Sequence, residues 1–104
     1  MKTIFGAPFE FGWNPAKAAS NLEKHNVSFE MVEQFEFGTC VTTEDNRQDY
    51  DEDRYIALGF IGERLHVLVF TLRHVNREFG TLWVISLRKA NRREIDRYVR
   101  ETQE

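Results

Sequence analysis

Residues 9–13, Phe-Glu-Phe-Gly-Trp, alternate apolar and other positions at period two, which predicts a strand with Phe9, Phe11 and Trp13 on its inner face. Asn14-Pro15 ends it. Asn caps a helix by accepting from its first free backbone N–H groups, and Pro suits the first helical position, where its missing N–H has no partner to lose. A helix over residues 15–25 follows, with Asn26 as its left-handed terminator. Ser28 caps a second helix, with Glu30 in the first turn and Val27 spaced to staple against Val32. Met31, Val32 and Phe35 keep helical spacing and Gly38 closes the element. These signals predict a tight helical pair.

Downstream the period changes. Residues 39–43 are short and β-branched and predict a strand, and residues 44–52 form a loop dense in carboxylates. Two apolar runs, 55–61 and 65–72, are joined by Gly62-Glu63-Arg64, a hairpin signal. The second run is apolar on both faces and predicts the central strand. Residues 74–80 read as a polar turn and 81–87 as a fifth strand. From about Ala90 the chain reads as helix, with Ile95, Tyr98 and Val99 as a thin apolar stripe. The order β-α-α-β-β-β-β-α predicts an α+β fold: an antiparallel sheet of four to five strands carrying an N-terminal helical pair and a C-terminal helix. Residues 1–104 are expected to form a single domain with its core over 9–99, without repeats or linkers.

Composition narrows the class. A chain of 104 residues allows one compact domain, which buries about two thirds of its unfolded surface. A hydrophobic share of 41% with nine Phe argues against disorder. No apolar run approaches the roughly 18 residues of a membrane span, and the first residues lack a signal peptide's pattern, so a cytoplasmic protein without a membrane partner is expected. The single cysteine, Cys40, fits a reducing compartment and reads as a small buried hydrophobe. His25, His66 and His74 have no metal-ligand spacing, so no metal site is expected, and His66 reads as a sheet histidine. The net charge of −3 is segregated: residues 1–43 carry −2, residues 44–53 carry −5 and residues 54–104 carry +4. An acidic whole weakens indiscriminate nucleic-acid binding and permits a local basic surface or an acidic partner.

No P-loop, dinucleotide fingerprint, nucleophile elbow or zincin motif is present, so no cofactor is expected. What remains is a set of side chains suited to metal-free work on a phosphodiester: Lys24, His25, Arg54, Arg73, Arg88 and Tyr98. RNA supplies its own nucleophile, the 2′-OH. The protein then needs a base, an acid and cations for the phosphorane charge. Arg73, at the end of the central strand, is the foremost cation candidate. Each residue also has a structural reading: Lys24-His25 offsets a helix dipole, Arg54 pairs with nearby acids, and Arg88, Glu94 and Tyr98 form an ion pair plus a packing Tyr.

Trp13-Asn14-Pro15-x-Lys17-Ala18-x-x-Asn21-x-x-Lys24-His25-x-Val27-x-Phe29 resembles the opening signature of the BrnT family. Asp53-Arg54-Tyr55-x-x-x-Gly59 resembles its E-x-R-[YW]-x-x-x-G, and Ile85-Ser86-x-Arg88-x-Ala90-x-x-x-Glu94-x-x-x-Tyr98 its I-S-A-R-x-A-x-x-x-E-x-x-x-Y. The chain departs at Asn26, where the family has Gly, at Leu87 before Arg88, and at Trp83, which stands in place of a basic residue. The resemblance implies a RelE-like fold and a type II toxin: a metal-independent endoribonuclease that inhibits translation. It also implies neutralisation by a BrnA-type antitoxin carrying a ribbon-helix-helix DNA-binding domain, within a heterotetramer that touches DNA only through the antitoxin. Catalytic residues expected on this basis are Arg73, Lys24, His25, Arg88, Glu94 and Tyr98, with Arg54 and Arg92 on RNA. The C-terminal stripe of Ile95, Tyr98 and Val99, rimmed by Arg93 and Arg97, is the expected antitoxin surface. The alternative reading is a catalytically inactive toxin fold acting only as an antitoxin-binding partner in a repressor complex, motivated by Trp83 and a pI near 5.6.

Overall fold

The first helix forms where its caps predict. In the computed structural model, which describes residues 3–4, 7–48, 51–74 and 79–103, α1 spans Pro15–His25. Asn14 Oδ1 accepts from the Ala16 and Lys17 amides at 2.8 and 3.2 Å, and Asn26 takes the left-handed conformation at φ 57°. The second expected helix is a correction. Ser28 caps as predicted, but the element is a 3₁₀ helix, Phe29–Gln34, that stops at Phe35, and a further 3₁₀ turn, Phe37–Thr39, contains Gly38. Phe29, Val32 and Phe35 are all buried, and a spacing of three matches the 3₁₀ period rather than that of an α-helix. Phe35 then bridges to Ile61, and the Glu36 amide donates to the Phe60 carbonyl, so sheet pairing captures the backbone that a longer helix would need.

Two short strands, β1 (Thr3–Ile4) and β2 (Ala7–Pro8), pair with each other and were not expected. The main sheet holds β3 (Glu10–Gly12), β4 (Val41–Glu44), β5 (Tyr55–Ile61), β6 (Arg64–Arg73) and β7 (Thr81–Lys89), and α2 (Arg92–Thr102) follows. The order is β3-β7-β6-β5-β4, with β6 central as its two apolar faces predicted. The fully antiparallel sheet is a second correction, because β3 runs parallel to β7. Alternation sets which side chains face the core but not the direction of a strand, and β3 hands the chain to α1, which packs on β7. The β4 strand begins later than expected because the 3₁₀ turn occupies residues 37–39. Residues 49–50 of the acidic loop and 75–78 of the expected turn lie outside the described residues.

The hairpin between β5 and β6 turns on Gly62 and Glu63. Gly62 has φ 63° and Glu63 a negative φ, the φ pattern of a type II′ turn, which calls for Gly first.

The two faces of the sheet differ. On the closed face, α1 and the 3₁₀ segment cover a core that includes Phe29, Val32, Phe35, Leu68, Phe70, Leu82, Val84 and Leu87. Gly59 makes room there for Phe35: a Cβ at that position would lie 2.4 Å from the ring. Buried Asn21 ties α1 to the sheet, its amide donating to the Leu87 and Val27 carbonyls at 2.7 and 3.0 Å and accepting from the Leu87 amide at 3.3 Å.

On the open face, a second cluster of Leu58, Leu65, Val67 and Ala90 is covered at one end by Ile95 and Tyr98 of α2. At the other end the acidic loop folds over, with the Asp53 carbonyl accepting from Thr71 Oγ1 at 2.6 Å. Among the described residues no helix is long and apolar enough to cross a membrane.

Candidate functional site

A cleft of about 310 Å³ lies on the open face between α2 and the acidic loop. Its floor is apolar, from Ile56, Val69 and Ile85, and arginines stand around it: Arg47 and Arg54 from the loop, Arg88 from β7 and Arg97 from α2. Glu94 is the one carboxylate in its lining.

Arg88 reaches this cleft because of a bulge. Strict alternation from Leu82 and Val84, which face the closed core, would turn Arg88 inward as well. In the β6–β7 register, however, Val69 pairs with Ser86 and Phe70 with Val84, so Ile85 is an extra residue on β7. The phase shifts by one, Leu87 enters the closed core, and Ile85, Ser86 and Arg88 line the cleft.

Arg88 is held in place by a two-point contact with Glu94, at 2.9 Å to Oε1 and 2.7 Å to Oε2. Glu94 Oε1 also accepts from the Asn91 amide at 2.8 Å while Asn91 Oδ1 accepts from the Glu94 amide, a capping box that starts α2. Hydrogen bonding to Glu94 raises the Arg88 pKa, and the same bond from Arg88 lowers that of Glu94, so both stay charged. The helix cap and the cation therefore share one carboxylate. Asp45, its side chain fully buried, binds Arg47 through both oxygens at 2.8 Å and braces the loop.

A second cavity, of about 280 Å³, adjoins the first through Arg54 and Ile85, which line both. Here Arg73 contacts Glu52 at 3.0 and 3.4 Å and lies 4.3 Å over the centre of the Trp83 ring. Behind Trp83, Gly12 permits close approach, since a Cβ there would sit 3.0 Å from the indole.

The structure thus gathers Arg54, Arg73, Arg88, Glu94 and Arg97 around two joined cavities. It does not gather the rest. Lys24 and His25 occupy the last turn of α1 and line neither cavity. Tyr98 donates to the Thr39 carbonyl at 2.8 Å and packs edge-on against Phe60, and Arg92 pairs with Asp96 on the exposed side of α2. Tyr98, Ile95 and Val99 line a separate apolar groove of about 500 Å³ with Phe60 and Leu65, and Val99 is 49% exposed there. Arg97, expected on the partner surface, pairs with Glu101 and also lines the cleft. Arg47, Glu52 and Trp83 were missed as site residues. The sequence signals were a lone cation among acids for Arg47 and an aromatic in place of the family's basic residue for Trp83, while the long-range pairing of Glu52 left none.

Four cations around an apolar floor suit an extended polyanion whose bases or sugars rest on the floor. Among the described residues no group of three or more His, Cys, Asp or Glu converges as a metal site. The chain matches, over residues 13–94, the family model described as ribonuclease toxin, BrnT, of type II toxin-antitoxin system, and it belongs to that family. No curated protein matches it significantly.

Proposed function

We propose, with that family membership as premise, that this chain is a metal-independent endoribonuclease toxin whose substrate backbone lies across the arginine cleft of the open sheet face. The carrying observation is the convergence of Arg54, Arg88 and Arg97 on an apolar floor, at a spot where β7 bulges to present Arg88. The ribose 2′-OH gives up its proton to solvent water and attacks the adjacent phosphorus, the P–O5′ bond breaks, and the leaving 5′-oxygen takes a proton from solvent, so the products carry a 2′,3′-cyclic phosphate and a 5′-OH. Charge builds on the phosphorane oxygens, and Arg88 meets it already oriented by Glu94, so little reorganisation is needed at the moment of reaction. Glu94 is a positioning residue: the bond that fixes Arg88 also holds its carboxylate below the usual range and makes it a poor proton acceptor. Arg54 bridges the two cavities and binds backbone phosphate, while Arg73 supplies charge at the second. Lys24 and His25 serve the α1 terminus, where cations offset the helix dipole, and Tyr98 fastens α2 to the 3₁₀ turn at Thr39 and to Phe60 of β5.

The family also implies an antitoxin partner. We place it on the apolar groove of Ile95, Tyr98 and Val99, with Arg93 and Arg97 carried on the same helix, and expect a BrnA-type protein whose ribbon-helix-helix domain makes the DNA contacts of a heterotetramer. A single RelE-like domain acting in the cytoplasm and halting translation completes this reading. The test is cleavage of end-labelled RNA by the purified chain in EDTA, with the termini identified. Cyclic phosphate ends that resist chelation are expected, and cleavage abolished by EDTA would overturn the mechanism. Co-expression with the neighbouring small open reading frame should restore growth, and slower association after reversing Arg93 and Arg97 to Glu checks the surface.

A further inference from the structure

The second cavity contains a flat surface that phosphate binding alone does not need. Arg73 is held at two points by Glu52 and its guanidinium carbon lies 4.3 Å over the centre of the Trp83 ring, and Gly12 lets that ring settle against the β3 backbone. An arginine so fixed presents a rigid plane, and arginine planes, like aromatic rings, stack nucleobases. Glu52 also keeps acceptor capacity: two carboxylate oxygens offer about four lone-pair positions, and Arg73 takes two of them. Asn14 lines the same cavity with its oxygen committed to capping α1, which leaves its amide NH₂ as a donor.

We propose that this cavity is a nucleobase subsite, in which the base next to the phosphate held at Arg54 stacks on the Arg73–Trp83 pair and its exocyclic amino group donates to Glu52. The inference rests on the reading of the cleft as an RNA site and adds a base preference to it. Adenine, cytosine and guanine carry such an amino group. Uracil presents a carbonyl in its place, and that carbonyl would face a carboxylate with no proton between them. Asn14 NH₂ meets a ring carbonyl where the base has one.

Binding is tested with the full chain and 2′-O-methyl hexamers of cytidine, of uridine and of abasic sugar, which share a backbone and cannot be cut through the blocked hydroxyl. The cytidine hexamer should bind about tenfold tighter than the uridine hexamer, since the two bases differ chiefly at that amino group. It should bind roughly tenfold or more tighter than the abasic one, from stacking. Glu52→Gln, whose amide can donate to uracil, should erase or invert the cytidine preference. Arg73→Lys keeps a charge but loses the plane and should shrink the ratio of cytidine to abasic binding. Trp83→Phe keeps a ring against Gly12 and guards against loss of fold. Equal binding of all three hexamers, or a cytidine preference that survives Glu52→Gln, overturns the subsite while leaving the RNA reading intact. Binding of none of them overturns both.

Discussion

The two faces of one sheet have been put to opposite uses. On the closed face, side chains from β5, β6 and β7 are sealed under α1 and the 3₁₀ segment, and Phe29, Phe35, Phe70, Leu68, Leu82 and Leu87 are almost wholly buried. On the open face the same strands offer Ile56, Val69 and Ile85 as a half-covered floor, framed by α2 and the acidic loop, with cations around it. Apolar burial stabilises a fold, whereas an uncovered apolar floor does so only weakly and stays available to a ligand. The charged groups follow the same division. The Arg73–Glu52, Arg88–Glu94 and Arg97–Glu101 pairs of the open face are partly exposed on both sides, so each adds little to stability.

The contrast is most directly broken at the closed face. Phe70→Ala removes a fully buried ring of the closed core, stacked on Tyr55, and should cost about 3–5 kcal/mol in denaturant unfolding. A variant as stable as the parent would show that the closed core does not carry the fold. Next in size, Arg88→Ala should lower RNA cleavage by roughly 10²–10³-fold. Its thermal midpoint should move little, because the pair with Glu94 is about a third exposed on the Arg88 side. Parallel losses of activity and stability in this variant would merge the two faces into one.

Gly59→Ala sharpens the picture on a smaller scale. The new methyl would collide with the Phe35 ring, and the expected cost is about 1–3 kcal/mol, read as a lower unfolding midpoint with cleavage by the folded fraction unchanged.

The smallest effect separates the faces by pH. His66 alternates with Leu68 and Phe70 toward the closed side, and burial lowers its pKa below 6.5, with the charges of Arg64 and Lys89 acting in the same direction. The unfolded chain therefore takes up the proton first, and stability falls as pH drops below about 6.5. Glu94 on the open face is held below 4.5 by Arg88, so its contribution is present above that value and is lost only at more acid pH. Thermal midpoints across acid pH should show two successive losses. His66→Gln should flatten the first and Glu94→Gln the second; a profile indifferent to both substitutions would contradict the assignment.

What the sequence determined by itself was local. Asn14, Asn26 and Ser28 act through hydrogen bonds spanning two to four residues, Pro15 through its fixed φ and missing N–H, and Gly62 through its own φ, so the limits of α1, the start of the 3₁₀ segment and the β5–β6 turn were legible from neighbours alone. Alternation likewise identified the central strand, because burial on both faces leaves few polar positions. The family was legible in the ordered motifs from Trp13 to Tyr98. Only the tertiary structure decided the direction of β3, the 3₁₀ rather than α geometry after Ser28, and the membership of the site. Arg88 faces the cleft because one residue of β7 goes unpaired against β6, and Arg47, Glu52 and Arg54 arrive there because a loop folds over strands distant from it in sequence. Register and loop docking are settled by the packing of whole surfaces against one another, and no short window of sequence contains both partners.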